Sequence, residues 1–194
     1  MTAYTALILA GGRALRMQGR DKGLLPLAGR PLTAHALAAL QAQSLPPQRI
    51  LISANRHLDD YARFGFPVLP DSLPDFPGPL AGLLSAMQAE PGSRLLTVPC
   101  DAVRLPKELA QSLTDALANG HDVVSLRDDD GWQPGVLLAR GGLQDSLSSY
   151  LREGGRSIRG WLQSLRHTTV YSAEPLPNLN TPAALATLAA HWPD

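Results

Sequence analysis

The chain of 194 residues has one cysteine, no net charge and no long hydrophobic run. The single cysteine, Cys100, excludes an internal disulfide framework and suits a reducing compartment such as the cytoplasm. A formal net charge of zero argues against a general binder of nucleic acid or of membrane surfaces. The apolar run near the N-terminus is interrupted at Gly11-Gly12, and no run reaches the length of a membrane span. We therefore expect neither a signal peptide nor a transmembrane helix.

The histidines are few and scattered. Only His57 lies in a loop that is predicted to follow a strand, and the other four have no metal-ligand spacing. This distribution supports neither a zinc site nor a Ser-His-Asp triad.

Lysine is also scarce. The chain has 15 arginines but only two lysines, Lys22 and Lys107. A lysine offers a compact point charge to a phosphate, whereas arginine offers a planar fork. The placement of Lys22 among glycines therefore suggests a phosphate contact, with chance placement as the alternative.

Lys22 belongs to the most informative segment of the chain, residues 7–27. An apolar stretch ends at Gly11-Gly12, and Gly19 and Gly23 follow within a basic loop. The cations of this loop are Arg13, Arg16, Arg20 and Lys22. Glycines allow backbone N–H groups to approach an anion, which the cations neutralise. The spacing matches neither the Walker A pattern nor G-x-G-x-x-G. The loop is therefore interpreted as a phosphate site of another kind, or as a turn beside a solvated basic patch.

Predicted strands and helices alternate along the chain. The strands are expected at Ala6–Ala10, Arg49–Ala54, Phe66–Leu69, Arg94–Val98, Asp122–Leu126, Gly135–Ala139 and His167–Tyr171. The helices are expected at Leu32–Gln43, Leu80–Gln88, Leu143–Leu151, Ser157–Leu165 and Pro182–His191. A further helix is expected from Pro106 to about Ala118, and a short one between the loop at residues 55–57 and about Phe64. Repeated βα units predict one α/β domain over residues 1–194. Its three-layer, Rossmann-like fold would have a mostly parallel sheet with helices on both faces.

Polar or flexible residues follow several of the predicted strands. They are Gly11-Gly12, Asn55, Asp71 and Asp101, and ligands of such sheets bind at the carboxyl ends of the strands. Asp101 fits either a Mg²⁺ ligand near phosphates or a loop or N-cap aspartate. Asp71 fits either a contact to a base or ribose or an Asx turn.

Three further segments allow a functional and a structural interpretation. Gly78 and Gly82 flank a helix start, where a ligand or a packed neighbour needs close approach. Arg156, with Arg152 and Arg159 nearby, is either a second anion site or a basic surface turn. Asn178 and Asn180 either bind a polar ring or form a turn before Thr181, which is predicted to cap the last helix.

Taken together, these motifs resemble the molybdenum cofactor guanylyltransferases, a family of molybdopterin nucleotidyltransferases. The matching stretches span nearly the whole chain in the family's order. They are Leu9–Gly12, Arg16-Met17, Asp21–Leu24, Ala54–His57, Asp71-Ser72, Pro77–Gly82, Pro99–Asp101 and Asn178–Pro182.

The resemblance implies transfer of GMP from GTP to the terminal phosphate of molybdopterin, with Mg²⁺ as cofactor and release of pyrophosphate. It implies that Leu9, Ala10, Gly11, Gly12 and Lys22 hold GTP. Asn55, Asp71 and, in place of the family's more usual asparagine, Ser53 would contribute to the nucleoside site. Asp101 would bind Mg²⁺. The reaction centre and the pterin side would be lined by Arg16, Gly19, Gly78, Gly82, Arg156, Asn178 and Asn180.

The resemblance also bears on specificity and partners. Gly11-Gly12 and the Asp21-Lys22-Gly23 form favour guanine over the cytidylyltransferase relatives, which usually read Leu-Ala-Ala-Gly. Molybdenum-insertion proteins and molybdoenzyme chaperones are the implied protein partners. The alternatives are a cytidylyltransferase, a sugar-1-phosphate nucleotidyltransferase, and a nucleotide-binding module without catalysis.

The implied reaction needs no general base. Its nucleophile is a phosphate monoester whose second pKa is about 6, so the group is already mostly ionised at pH 7. Lys22, Arg16, Asp101 and the metal would instead stabilise charge as two anions meet. The absence of a well-placed histidine therefore fits this chemistry.

Overall fold

A central mixed sheet organises the molecule, whose computed structural model describes residues 3–10, 21–72, 78–177 and 179–192. The strands are β1 (Thr5–Leu9), β2 (Pro26–Leu27), β3 (Arg30–Pro31), β4 (Arg49–Ser53), β5 (Val68–Leu69), β6 (Leu95–Pro99), β7 (Val123–Asp128), β8 (Gly131–Ala139) and β9 (His167–Tyr171). Seven of them form one sheet in the order β5-β4-β1-β6-β8-β7-β9. Strand β8 is antiparallel to both of its neighbours, while the other pairings in this sheet are parallel. The predicted mostly parallel sheet is confirmed.

Helices cover both faces of the sheet, as predicted. They are α1 (Leu32–Gln41), α2 (Leu58–Ala62), α3 (Pro79–Ala89), α4 (Leu109–Ala118), α5 (Gln144–Arg152), α6 (Ile158–Leu162) and α7 (Pro182–Ala190). In β1, Ala6 and Ile8 point into one core with α1, α2 and α4, and Leu7 points into another with α3, α5 and α6. A strand that is buried on both faces must be apolar throughout, which explains the uninterrupted run in β1.

A third, smaller core ties the C-terminal helix to the body of the protein. Leu25, Leu27 and Leu179 are buried together, and Leu185 and Leu188 of α7 pack against them. The short antiparallel pair β2-β3 carries part of this core and was not predicted. Because α7 packs over this hairpin, the segment that leads into α7 lies beside residues 21–27.

Several element boundaries differ from the predicted ones. Helix α4 begins at Leu109 rather than Pro106, whose carbonyl accepts the Leu109 N–H at 3.0 Å. Strand β8 begins four residues earlier than predicted, at Gly131, so the turn after β7 is short. The run of aspartates at residues 128–130 predicts a solvated turn, which is wrong at Asp128: this residue is buried and accepts hydrogen bonds from Gln133 and from the Leu176 N–H.

In the described ranges, none of the helices is long and apolar enough to cross a membrane.

The carboxylate of Asp122 links the ends of β7, β8 and β9 at the edge of the sheet opposite the predicted site. Asp122, just before β7, accepts Arg140 Nε at 2.7 Å and Arg166 Nη2 at 3.0 Å on the same oxygen. Its second oxygen accepts the Arg166 N–H at 3.0 Å. The hydrogen bonds from Arg166, and then from Arg140, hold the pKa of Asp122 well below its usual range.

We expect Asp122→Asn to lower the free energy of unfolding at pH 7 by about 1–3 kcal/mol, since hydrogen bonds to a charged group are lost. A depressed folded-state pKa gives stability that is complete above the unfolded pKa of about 4 and is lost as pH falls through the folded value. Urea unfolding at several pH values should therefore give a difference between the two proteins that narrows below about pH 4. A pH-independent difference would contradict the assignment.

Candidate functional site

The carboxyl ends of three neighbouring parallel strands stop at the same level. Leu9 of β1 pairs with Ser53 of β4 and with Pro99 of β6. The buried residue Ala10 donates its N–H to the Ser53 carbonyl at 2.9 Å, and the Cys100 N–H donates to the Leu9 carbonyl at 3.1 Å. The loops that leave these strands therefore begin side by side, as the sequence predicted.

Part of the predicted site lies outside the described residues. This part comprises Gly11, Gly12, Arg16, Gly19 and Asn178. Their assigned roles stay predictions, and the geometry of the site is built from the residues around them.

Lys22 is the centre of the described site. Its ammonium group forms an ion pair with Asp101 Oδ2, and it donates to Asn180 Oδ1 at 2.8 Å. The three residues come from the loop after β1, the end of β6 and the segment before α7. The Lys22 and Asp101 side chains are 20% and 15% exposed, so both remain open to a ligand. Residues that the resemblance divided between the GTP side and the pterin side are therefore in direct contact.

A short 3-10 turn at Lys22–Leu24 holds the backbone of Lys22. Asp21 caps this turn, because its Oδ1 accepts the Gly23 N–H at 3.2 Å. The same oxygen accepts the hydroxyl of Tyr61 at 2.5 Å. Burial, and then the hydrogen bond to Asp21, raise the pKa of Tyr61, so this phenol is a donor at all physiological pH values.

Gly23 is required by packing. A Cβ at this position would lie 2.4 Å from the Tyr61 hydroxyl and 2.7 Å from Thr33 Oγ1. Thr33 also donates to the Gly23 carbonyl at 3.0 Å. The turn that carries Lys22 is therefore seated directly on side chains of α1 and α2.

Asn55 and Asp71 form a second polar pair at the same edge of the sheet. Asn55 Nδ2 donates to Asp71 Oδ2 at 2.7 Å, and the Asp71 N–H donates to Asn55 Oδ1 at 2.8 Å. Burial raises the pKa of Asp71, and the hydrogen bond from Asn55 opposes this rise. The pair joins the loops after β4 and β5, and its carboxylate can also accept hydrogen bonds from a ligand.

Gly82 of α3 makes the close approach that its position in the helix suggested. A Cβ there would lie 2.1 Å from Ser53 Oγ and 2.9 Å from Ser53 Cβ. Of the two interpretations of Gly82, packing against a neighbouring element is thus observed. The contact places Gly82 beside Ser53, which the resemblance assigned to the nucleoside side.

We expect Gly82→Ala to lower the free energy of unfolding by about 1–3 kcal/mol, because Ser53 is buried and has little room to move. The measurement is urea unfolding of Gly82→Ala, of Ser53→Ala and of the double variant Ser53→Ala/Gly82→Ala. Removing the Ser53 hydroxyl should recover part of the loss. A loss in the double variant that equals or exceeds the sum of the two single losses would show that this contact is not the cause.

Gly78 stands immediately before α3, with Pro79 as the first helical residue. Its φ of 138° lies in a region that side chains rarely adopt, so the backbone requires glycine here. This requirement is local, and the role of Gly78 on the pterin side stays a prediction.

Arg156 lies between α5 and α6. Its Nη1 donates to the Leu151 carbonyl at 3.0 Å and to the Gly155 carbonyl at 2.7 Å. The first bond satisfies a carbonyl in the last turn of α5 and the second a carbonyl of the turn that follows, as expected for a basic surface turn. Its predicted place on the pterin side stays untested.

The described part of the site offers a metal few protein ligands. Within the described ranges, no group of three or more His, Cys, Asp or Glu side chains could hold a metal ion. Mg²⁺ is commonly held by one or two carboxylates, with substrate phosphates and water supplying the other oxygens. The Asp101 carboxylate, partly exposed at the strand edge, fits that manner of binding. Cys100 beside it is buried, which raises the pKa of its thiol to about 12 and leaves it a packing residue.

Tyr61 and Asp21 are the site residues that sequence reasoning missed. Tyr61 is a buried aromatic residue in a short helix whose other residues are mostly exposed. The pattern Asp-x-Gly at residues 21–23 is typical of an aspartate that caps a turn. Neither signal indicates that the two residues meet.

Comparison with known proteins shows which family and which fold the chain resembles. Residues 6–170 match the model of the MobA-like NTP transferase domain. The chain is 44% identical over 193 residues to a molybdenum cofactor guanylyltransferase of Polynucleobacter asymbioticus, with 96% of each chain covered. It is 39% identical over 180 residues to that of Shewanella putrefaciens, with 91% of each covered. Molybdopterin-guanine dinucleotide biosynthesis protein A from Archaeoglobus fulgidus has the same fold, with a TM-score of 0.77, 19% identity, and coverage of 96% of this chain and 97% of that one.

Proposed function

Because the chain belongs to the molybdenum cofactor guanylyltransferase family, we propose that it transfers GMP from GTP to molybdopterin. An oxygen of the terminal phosphate of molybdopterin forms a bond to the α-phosphorus of GTP. The bond from that phosphorus to the bridging oxygen breaks, and pyrophosphate leaves with the electron pair. The products are the guanine dinucleotide form of the cofactor and pyrophosphate.

The contact of Lys22 with Asp101 and Asn180 carries this proposal. It supplies a cation, an anion and an amide at the meeting point of three loops. A triphosphate entering here offers Lys22 a stronger anionic partner than a single carboxylate, and the ammonium then stabilises charge developing on pyrophosphate. Since the attacking phosphate is already ionised, no residue has to remove a proton.

The Asn55–Asp71 pair supports a nucleoside site next to the phosphates. Guanine presents N–H groups at N1 and N2 that need acceptors, and the Asp71 carboxylate provides them. Asn55 would keep that carboxylate oriented, as it does through the two hydrogen bonds described above.

We assign Mg²⁺ to Asp101. When bound, the ion would supply Lewis-acid stabilisation of phosphate charge. Asp101 would hold it, while Lys22 turns from the carboxylate to the phosphates. The freed carboxylate and the freed ammonium would thus each gain a partner of opposite charge.

The test is a nucleotide panel. Purified protein is incubated with molybdopterin, Mg²⁺ and each of GTP, CTP, ATP and UTP, and the dinucleotide product and pyrophosphate are measured. We expect product with GTP. Product only with CTP would make the protein a cytidylyltransferase, and binding of GTP without any transfer would make it a nucleotide-binding module.

We also propose a cytoplasmic location and protein partners for this enzyme. A single free and buried cysteine suits the cytoplasm. Molybdenum-insertion proteins and molybdoenzyme chaperones are the proposed partners that exchange the cofactor with this enzyme.

A further inference from the structure

We propose that Tyr61 is a positioning residue for Lys22, acting through the carboxylate of Asp21. The inference rests on the proposed function, because it assigns Tyr61 a part in presenting the phosphate-binding lysine. Among the described residues, Tyr61 makes no hydrogen bond to Lys22, Asp101 or Asn180. Its hydroxyl donates to Asp21, on the buried side of the turn.

One oxygen atom fixes the turn. Asp21 Oδ1 accepts both the Gly23 N–H at 3.2 Å and the Tyr61 hydroxyl at 2.5 Å. Lys22 stands between Asp21, which supplies this oxygen, and Gly23, whose N–H the oxygen accepts, so the direction of the Lys22 side chain depends on the orientation of the Asp21 carboxylate. Without the phenol, the longer bond from Gly23 is the one that remains among the described contacts of this oxygen, and the carboxylate can rotate.

Tyr61 is well suited to hold a carboxylate still. Its side chain is completely buried in the core beneath the turn, whereas Asp21 is only half-buried. The hydroxyl lies against the position where a Gly23 side chain would stand, so the turn rests on the ring as well. A buried aromatic ring has few available rotamers, which makes it a rigid support for a flexible polar group.

The position of Tyr61 in the chain gives this support a second consequence. Tyr61 lies on α2, which directly follows the loop that contains Asn55. One short segment therefore pairs with Asp71 at one end and holds the Lys22 turn at the other. A shift of α2 would move the nucleoside contact and the phosphate contact together.

The experiment compares the chemical reactivity of two lysine side chains. Lys22 and Lys107 are the two lysines of the chain, and Lys107 is exposed on the loop before α4. Partial acetylation of the folded protein, read by mass spectrometry, gives the rate at Lys22 relative to that at Lys107. An ammonium group held by a carboxylate and an amide oxygen reacts slowly, because the reagent needs the free amine.

We expect Tyr61→Phe to raise the Lys22-to-Lys107 acetylation ratio by about fivefold, the factor that corresponds to one net hydrogen bond. Tyr4→Phe is the matched control. Tyr4 is also buried, and its hydroxyl donates to the Leu45 carbonyl at 2.8 Å, before the opposite end of β1. Tyr4→Phe should leave the ratio unchanged even though it loses a comparable bond.

A second variant keeps the test informative if Tyr61→Phe fails to fold. Asp21→Ala changes a half-buried residue and removes the oxygen that both donors share. It should raise the acetylation ratio at least as much as Tyr61→Phe. The double variant should then show no further increase, because both changes interrupt the same chain of contacts.

Steady-state kinetics supply the second readout. Tyr61→Phe should lower kcat for GMP transfer by about tenfold with a smaller change in KM for GTP, since Lys22 acts mainly on charge that develops in the transition state. An unchanged acetylation ratio in folded Tyr61→Phe, or an equal rise in Tyr4→Phe, overturns the proposal. Acetylation requires no nucleotide, so it decides the role of Tyr61 even if the wild type transfers no GMP and the proposed function is wrong.

Discussion

Asp101→Ala is expected to reduce kcat/KM for GMP transfer by about 100- to 1,000-fold while changing the free energy of unfolding by about 1 kcal/mol or less. The carboxylate lies just beyond the last residue of β6, where it serves the site and not the core. Its removal takes away the proposed Mg²⁺ ligand and the partner of Lys22 together. The measurements are the rate of dinucleotide formation over a range of GTP concentrations and urea unfolding.

Asp101→Asn separates the two roles of this carboxylate. The amide keeps a hydrogen-bond acceptor for Lys22 but is a poor Mg²⁺ ligand. We therefore expect the Mg²⁺ concentration at half-maximal rate to rise in Asp101→Asn. Asp115→Asn, the same change on the exposed face of α4, should leave the rate and the Mg²⁺ dependence unchanged. Near-normal GMP transfer by Asp101→Ala would overturn the metal assignment.

The sheet and its functional edge were predictable because their signals are local. Apolar runs in β1, β4 and β6 indicate strands buried on both faces, and the residues directly after such strands must share one edge. Asn55, Asp71 and Asp101 were placed at that edge from the sequence, and the structure places them there. The N-cap at Thr181 was predicted for the same reason, and its hydroxyl accepts the Ala184 N–H at 3.2 Å.

The missed features depend on contacts between distant parts of the chain. Strands β2 and β3 have two residues each, too few to show a periodicity. The early start of β8 follows from pairing with β7 across a bulge between Ser125 and Leu126, which local sequence does not reveal. The meeting of Lys22 with Asn180 joins residues 158 positions apart and depends on the packing of α7 over the β2-β3 hairpin.

The assignments by resemblance divided the site into a nucleotide half and a pterin half. In the structure, Asn180 from the pterin half touches Lys22 from the nucleotide half, and Gly82 touches Ser53. Residues that the resemblance assigned to different halves thus lie in contact with each other. In the proposed transfer, the two substrates would have to meet at such a boundary, because the attacking phosphate and the α-phosphate must come within bonding distance.

Lys22→Ala is expected to cost about 100- to 1,000-fold in kcat/KM for GMP transfer, with most of the loss in kcat. The reason is that the ammonium meets more negative charge in the transition state, where pyrophosphate is leaving, than in bound GTP. Stability should change little, because the ion pair with Asp101 lies at the partly exposed edge of the sheet. Steady-state transfer assays and urea unfolding measure the two effects, and Lys107→Ala is the control for loss of a lysine.

Lys22→Arg tests whether the site needs the compact ammonium group of lysine or only a positive charge. The guanidinium keeps the positive charge but is larger and planar, so it cannot occupy the same position between Asp101 and Asn180. We expect an intermediate rate, and a Mg²⁺ dependence close to that of the wild type, because Asp101 remains in place. If Lys22→Ala turned over GTP at the wild-type rate, the phosphate contact would have to be assigned to the cations of residues 11–20. Equal rates for Lys22→Arg and the wild type would instead show that positive charge suffices and that the compact ammonium has no special role.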